Sequence, residues 1–152
     1  MATVTRVLHC PPAAVLSVLA DGWTYAAWVV GTSRIRGVDP TWPAPGSRVE
    51  HSVGVWPAVL DDHTTVLSWD PEGGIEVQAR GWPAGEARVR IDVRARADGG
   101  SDVRMVEDAV AGPGTLIPRP LRTAAIVPRN TETLRRLALL AEGRSGVHGA
   151  DV

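Results

Sequence analysis

His51 is the first of two side chains in this sequence whose type and position suit proton transfer. It lies between Val49 and Val53 in a stretch where apolar and polar residues alternate, so the imidazole is predicted to face inward with the valines. An imidazole in an apolar cavity titrates near neutrality and can act as a general acid or base. Two other interpretations stay open: a core histidine hydrogen-bonded to a neighbour, or a side chain facing water because the register differs by one residue.

Glu107 is the second such side chain. The alternation that places Val103 and Met105 on the covered face of a strand also points Glu107 inward. Burial favours the protonated form of a carboxyl group, which would suit it to proton transfer. The competing interpretation is a salt bridge to Arg129 or Arg122, because a buried carboxylate is costly unless it is paired.

The elements that must position these groups follow from the spacing of apolar residues. A short strand is predicted over 2–10, a helix over 13–20 after the Pro11-Pro12 pair, and a second short helix over 23–30, ended by Gly31. The period then changes to two, and six strands are predicted over 33–38, 47–55, 60–69, 74–80, 86–97 and 101–110. The strand over 86–97 alternates apolar with charged residues throughout, which predicts an antiparallel sheet covered on one face.

The C-terminal segment is predicted to be helical. Leu134, Leu137, Ala138 and Ala141 recur at steps of three and four residues, and Gly143 would form a left-handed cap near Glu142. Upstream of that stripe, Pro128 has no N–H to donate. The segment is therefore either one long bent helix or two helices end to end, laid across the sheet.

Length and composition narrow the function classes. At 152 residues the chain is predicted to form one domain over 1–143 with a fraying tail over 144–152. The net charge of −1 gives no general attraction to nucleic acid, and all 16 basic residues are arginine, which excludes a Schiff-base lysine. A lone Cys10 and the absence of a long apolar run predict a cytoplasmic protein without membrane insertion.

The sequence predicts neither a metal site nor a bound cofactor. His9, Cys10, His51 and His63 lack the spacing of metal ligands. No dinucleotide-binding or phosphate-binding glycine motif and no nucleophile elbow are found.

Several sequence motifs punctuate this order of elements. They are Pro11-Pro12, Trp28-Val29, Trp42-Pro43-Ala44-Pro45-Gly46, Gly112-Pro113-Gly114, and Arg129-Asn130-Thr131-Glu132 followed by Leu134 and Leu137. With them the chain resembles the START-like, helix-grip (SRPBCC) superfamily, and most of all its small bacterial members described as polyketide cyclase or dehydrase-like. The resemblance implies an α+β helix-grip fold, in which a curved antiparallel sheet of about seven strands wraps a long C-terminal helix. Two short helices lie between strands 1 and 2, and a deep, largely apolar cavity lies between sheet and helix.

The resemblance also directs attention to residues that could line such a cavity. Small side chains such as Ala125 would leave room, tryptophans could stack on a flat ligand or simply fill the core, and arginines could anchor an anionic group or be solvated. The predicted ligand-binding residues are Trp28, Arg34, Trp56, Trp69, Arg80, Trp82, Met105, Ala125 and Arg129.

Two functions from different classes follow from the resemblance. The first is a module that binds a small hydrophobic molecule such as a lipid, aromatic metabolite or polyketide, as a monomer or homodimer. The second is an enzyme similar to polyketide cyclases, which promotes aldol cyclisation and dehydration with His51 or Glu107 as the proton-transfer group and Arg34 or Arg80 beside the enolate. A third interpretation, a partner acting through its surface, would require an exposed apolar patch over a filled interior.

Overall fold

The computed structural model describes residues 1–54, 57–81 and 85–146. Two of the predicted ligand-binding residues, Trp56 and Trp82, lie outside these described residues. The same holds for residues 147–152 of the predicted tail.

Seven antiparallel strands form one sheet in the order β1-β7-β6-β5-β4-β3-β2. Their bounds are β1 Ala2–Leu8, β2 Thr32–Val38, β3 Arg48–Val53, β4 Leu60–Asp70, β5 Gly74–Gly81, β6 Gly85–Ala95 and β7 Ser101–Ala111. The predicted α+β class and strand number are confirmed. In β6 the inward residues Val89, Ile91 and Val93 are buried, whereas Arg90 and Asp92 between them lie on the outer face, as the alternation predicts.

The segment between β1 and β2 connects opposite edges of the sheet. It contains α1 (Pro12–Leu19), a 3₁₀ turn over Gly22–Thr24, and the four-residue α2 (Tyr25–Trp28). Gly22 has no room for a side chain, because a Cβ there would lie 2.7 Å from Val38 Cγ1. This segment packs against α3, so that the two short helices and the long one share a layer over the sheet.

The C-terminal helix α3 runs without interruption over Arg119–Arg144, through Pro128. Of the two alternatives at the proline, the single long helix is therefore correct. The predicted cap at Gly143 is wrong, because that residue is still helical and the positive φ of 74° belongs to Gly146. No helix in the described part of the chain is long and apolar enough to cross a membrane.

The core lies between the inner face of the sheet and this helical layer. Its fully buried residues include Val49 and Val103 from the strands, Val15 from α1, and Leu134 and Leu137 from α3. The buried residues of α3 all come after Pro128; they are Asn130, Thr133, Leu134, Leu137, Ala138 and Ala141. The half of α3 before the proline lies over the edge of the core instead of within it.

Candidate ligand-binding cavity

A cavity of about 80 Å³ lies between strands β5 to β7 and the helices α2 and α3. Its apolar wall is formed by inward residues of the strands, of the short helices and of the loop between β2 and β3: Leu19, Trp28, Trp42, Ile75, Val77, Val89, Ile91 and Met105. Its polar part is formed by Tyr25, Glu107, Arg129, Asn130 and Thr133. An apolar cavity of about 150 Å³ holds benzene, so a ligand of that size or larger enters this smaller cavity only if the lining side chains or the helix above them shift.

Glu107 lies on the inner face of β7 and is 6% exposed, as the alternation predicts. One carboxylate oxygen accepts a hydrogen bond from Arg129 Nη2, and the other accepts one from Asn130 Nδ2 at 2.8 Å. The structure therefore contains the salt bridge that was the competing interpretation of Glu107, with Arg129 as its partner. Arg122 instead lies 4.0 Å from Asp108. Charge and hydrogen bonds both compensate the buried carboxylate.

The first turn after Pro128 positions the partners of Glu107. Asn130 is the first buried residue of α3 and is 1% exposed, whereas the side chain of Arg129 is 43% exposed. Consecutive helical residues point about 100° apart, so one partner reaches into the core while the other stays at its edge. The polar end of the cavity thus connects with solvent through the Arg129 guanidinium.

His51 faces inward on β3 and is 2% exposed, so the interpretation that it faces water is wrong. Its Nε2 lies 2.9 Å from Thr64 Oγ1, and its ring stacks on Tyr25 with centroids 5.3 Å apart. Tyr25 lines the cavity, whereas His51 lies behind it and does not. Burial lowers the pKa of His51, with Asp62 opposing that shift, so the imidazole is neutral at pH 7.

Tyr25 is the functional candidate that the sequence analysis missed. Its hydroxyl lies 2.8 Å from the same Thr64 Oγ1, and burial raises the pKa of the phenol to about 12. One signal could have revealed it: this is the only tyrosine in a chain without phenylalanine, and it lies three residues before Trp28 on the same helical face.

Trp28 lines the cavity and is 6% exposed. Its ring is tilted against Tyr25, with centroids 5.5 Å apart. The indole Nε1 is buried and has no hydrogen-bond partner among the described residues. An indole N–H normally finds an acceptor when it is buried, so this donor is an exception within the cavity wall.

The structure brings some of the predicted site residues together and leaves others apart. Met105 and Arg129 line the cavity with Trp28 and Glu107. The ligand-binding and catalytic roles of these residues stay predictions.

Four other predicted residues lie away from the cavity. Arg34 is exposed on β2, where its Nε donates to Ser52 Oγ at 3.2 Å. Arg80 follows the cavity-lining Ala79, so it points to the outer face, where it lies 3.5 Å from Glu86. Trp69 packs against the core near the end of β4, outside the cavity lining, and Ala125 is exposed on α3.

Among the described residues no cluster of three or more His, Cys, Asp or Glu side chains could hold a metal ion. The groups at the cavity are described by its lining instead. The site is an apolar cavity with the Glu107–Arg129 ion pair at one end and the Tyr25 hydroxyl and Trp28 indole in its wall.

This fold and cavity belong to a known class. The chain is a member of the polyketide cyclase / dehydrase and lipid transport family, whose profile matches residues 1–142. The resemblance to the START-like, helix-grip superfamily is thereby confirmed. No curated protein sequence matches this one significantly.

Solved structures share the fold at low sequence identity. Ara h 8.0201 is 15% identical with a TM-score of 0.68, and the alignment covers 94% of this chain and 95% of that one. The Zhui aromatase/cyclase from Streptomyces sp. R1128 is 18% identical with a TM-score of 0.69, covering 94% and 93%. A conserved protein from Geobacillus kaustophilus is 13% identical with a TM-score of 0.70, covering 93% and 94%.

Proposed function

We propose that this protein binds a small hydrophobic molecule in the cavity between the sheet and α3. The observation that carries the proposal is the cavity itself: an apolar wall with Glu107, Arg129 and Asn130 at one end. Sites for small molecules have this composition, in which apolar surface supplies affinity and a few fixed polar groups set orientation. The family description, which includes lipid transport, supports the same class of ligand.

Enlargement of the cavity is part of the proposal. Burial of apolar ligand surface contributes about 25 cal/mol per Å², so a ring-sized ligand gains several kcal/mol that can offset local movement. The half of α3 before Pro128 is the part that we expect to move, because none of its residues is buried and it leads directly to the cavity-lining Arg129. Segments with few buried contacts open at low cost.

A second candidate function is catalysis of the polyketide cyclase type. It is favoured by the position of Glu107, which lines the cavity together with Tyr25 and the Arg129 guanidinium. In this scheme the Glu107 carboxylate takes a proton from the carbon beside a ketone, and Tyr25 donates a hydrogen bond to the enolate oxygen that forms. Arg129 compensates the carboxylate, a role that differs from the one expected for Arg34 or Arg80. His51 contributes only through Thr64 and Tyr25.

Native mass spectrometry of freshly purified protein tests the binding proposal. We expect an adduct with the mass of an apolar small molecule, which is lost on denaturation. Ala79→Leu places extra volume in the cavity and should abolish the adduct, whereas Ala97→Leu, at an exposed turn outside the cavity, should retain it.

The identity of the adduct then separates the two functions. If the native protein converts the ligand and the Glu107→Gln variant binds it without conversion, the catalytic function is supported. If it is bound unchanged, the carrier is correct. An adduct that survives Ala79→Leu contradicts the proposed site.

A further inference from the structure

Three hydrogen-bonding side chains form a continuous line from the cavity wall into the sheet. The Tyr25 hydroxyl lies 2.8 Å from Thr64 Oγ1, and the same oxygen lies 2.9 Å from His51 Nε2. The three residues belong to α2, β4 and β3 and are each 5% exposed or less. Only Tyr25 lines the cavity, so the other two can act on a ligand only through it.

Counting hydrogens gives this line a direction. A neutral imidazole carries one N–H, and His51 Nδ1 has no partner among the described residues. A buried N–H without an acceptor is rarer than an acceptor without a donor, so we assign the hydrogen to Nε2, where Thr64 accepts it. Thr64 then donates its own hydrogen to Tyr25. The hydroxyl hydrogen of Tyr25 is left without an acceptor in this line.

A second donor without an acceptor belongs to the neighbouring aromatic residue, Trp28. Trp28 Nε1 is buried without a partner among the described residues, and the Trp28 ring is next to that of Tyr25. Both residues line the cavity. By contrast, the two oxygens of Glu107 already accept from Arg129 and Asn130. The cavity-lining donors that still need an acceptor are therefore those of Tyr25 and Trp28.

We propose that Tyr25 and Trp28 recognise a carbonyl or hydroxyl oxygen on an otherwise apolar ligand, and that Thr64 and His51 hold the Tyr25 hydroxyl in the donating orientation. This inference rests on the proposed binding function and names the ligand class, a ketone or phenol on a hydrocarbon skeleton. Tyr25 and Trp28 contact the ligand. His51 and Thr64 are positioning residues.

The test compares two ligands with one skeleton, 1-tetralone, which has a ketone oxygen, and tetralin, which lacks it. Binding of each is measured by titration calorimetry, and the quantity of interest is the ratio of the two affinities. We expect Tyr25→Phe and Trp28→Phe each to lower the tetralone-to-tetralin ratio about tenfold, which corresponds to one lost hydrogen bond. Tetralin affinity should stay unchanged in Tyr25→Phe, because only the hydroxyl is removed.

The positioning residues are tested with matched pairs. Thr64→Val removes the hydroxyl at constant volume and should lower the ratio about threefold, whereas Thr64→Ser should keep the wild-type ratio. His51→Leu should act like Thr64→Val, and His51→Gln, which retains a donor, should restore the ratio. The infrared carbonyl stretch of bound 1-tetralone gives a second readout. It should shift to lower frequency in the wild type and return toward its apolar-solvent value in Tyr25→Phe.

Each other outcome overturns a stated part. If the ratio and the carbonyl frequency are unchanged in Tyr25→Phe, the recognition of oxygen by Tyr25 is wrong. If Tyr25→Phe lowers the ratio but Thr64→Val and His51→Leu do not, the positioning role is wrong. If a variant weakens both ligands equally, its residue is only structural. If the folded wild type binds neither ligand, the named ligand class is wrong, whereas the proposed function fails only if native mass spectrometry also shows no apolar adduct.

Discussion

The two halves of α3, before and after Pro128, belong to one helix but have opposite environments. After the proline, Leu134, Leu137 and Ala141 are completely buried. Before it, Leu121 is 63% exposed, and Leu116 in the preceding 3₁₀ turn is 85% exposed. One continuous helix therefore packs into the core with one half, whereas its other half contains no buried residue.

The proline lies at the boundary between these environments. Glu107 on β7 is bonded to both Arg129 and Asn130, the two residues that follow the proline. The ion pair therefore fixes the helix at the point where burial begins. From this point toward the N-terminus no residue of α3 is buried, so little apolar contact opposes local movement of that half of the helix.

The largest expected effect comes from truncating one leucine in each half. Leu134→Ala should lower the free energy of unfolding by about 2 to 5 kcal/mol, because it leaves a cavity in the core. Leu121→Ala should change it by less than about 0.5 kcal/mol, because the side chain is mostly solvated. Urea denaturation of both variants measures the difference. Equal losses would contradict the contrast between the halves.

An intermediate effect is expected at the boundary. Glu107→Gln keeps the shape of the side chain but removes the charge and sets an amide N–H₂ against a donor of Arg129 or Asn130. The free energy of unfolding should fall by about 1 to 3 kcal/mol, the usual cost of breaking a buried polar contact. The matched control is Asp108→Asn, at the next residue, where the side chain is 41% exposed and its ion pairs are long. A loss as large in Asp108→Asn would show that general charge, and not the buried contact, is responsible.

The smallest expected effect is a loss of stability at acidic pH. It should arise from protonation of His51 on β3 and not from a residue of α3. The folded-state pKa of His51 is lowered from 6.5 by burial. Below about pH 6.5 the unfolded chain therefore binds a proton that the folded protein does not, and the free energy of unfolding decreases as the pH falls. Denaturation at pH 7, 6 and 5 should show this decline, and His51→Gln should flatten it.

Exposed carboxyl groups provide the background to that measurement. Hydrogen bonds lower the pKa values of Asp61, Asp98 and Glu132, so their contributions are lost only at more acidic pH. If His51→Gln declines as steeply as the wild type between pH 7 and 5, the protonation of another group must account for the loss.

The fold could be predicted from the sequence because its signals are local and repeated. The period-two alternation in β6 and the three- and four-residue spacing around Leu134 are each set by burial on one face. The same logic failed before Pro128. Ala124 and Ala125 continue the apolar pattern in the sequence, yet both are exposed, because this half of α3 lies over the edge of the core.

The site was only partly predictable, since it depends on which element faces which across the layer. Alternation correctly turned His51 and Glu107 inward. It did not reveal that Tyr25, from a helix of four residues, would lie between His51 and the cavity. Arg34 and Arg80 lie away from the cavity for a related reason, because a strand residue next to an inward one points outward.

The strand order also governs how the chain must assemble in time. β1 is synthesised before the other strands, but its partner in the described sheet is β7, where Ala2 lies opposite Glu107. The β1 edge of the sheet can therefore form only after nearly the whole chain has been synthesised. Closing so long a loop slows folding. We expect refolding in the range of about milliseconds to seconds that is usual for domains dominated by distant strand pairs. Until β7 arrives, the backbone of β1 has no partner strand, and this is the stage at which the nascent protein is most exposed to aggregation.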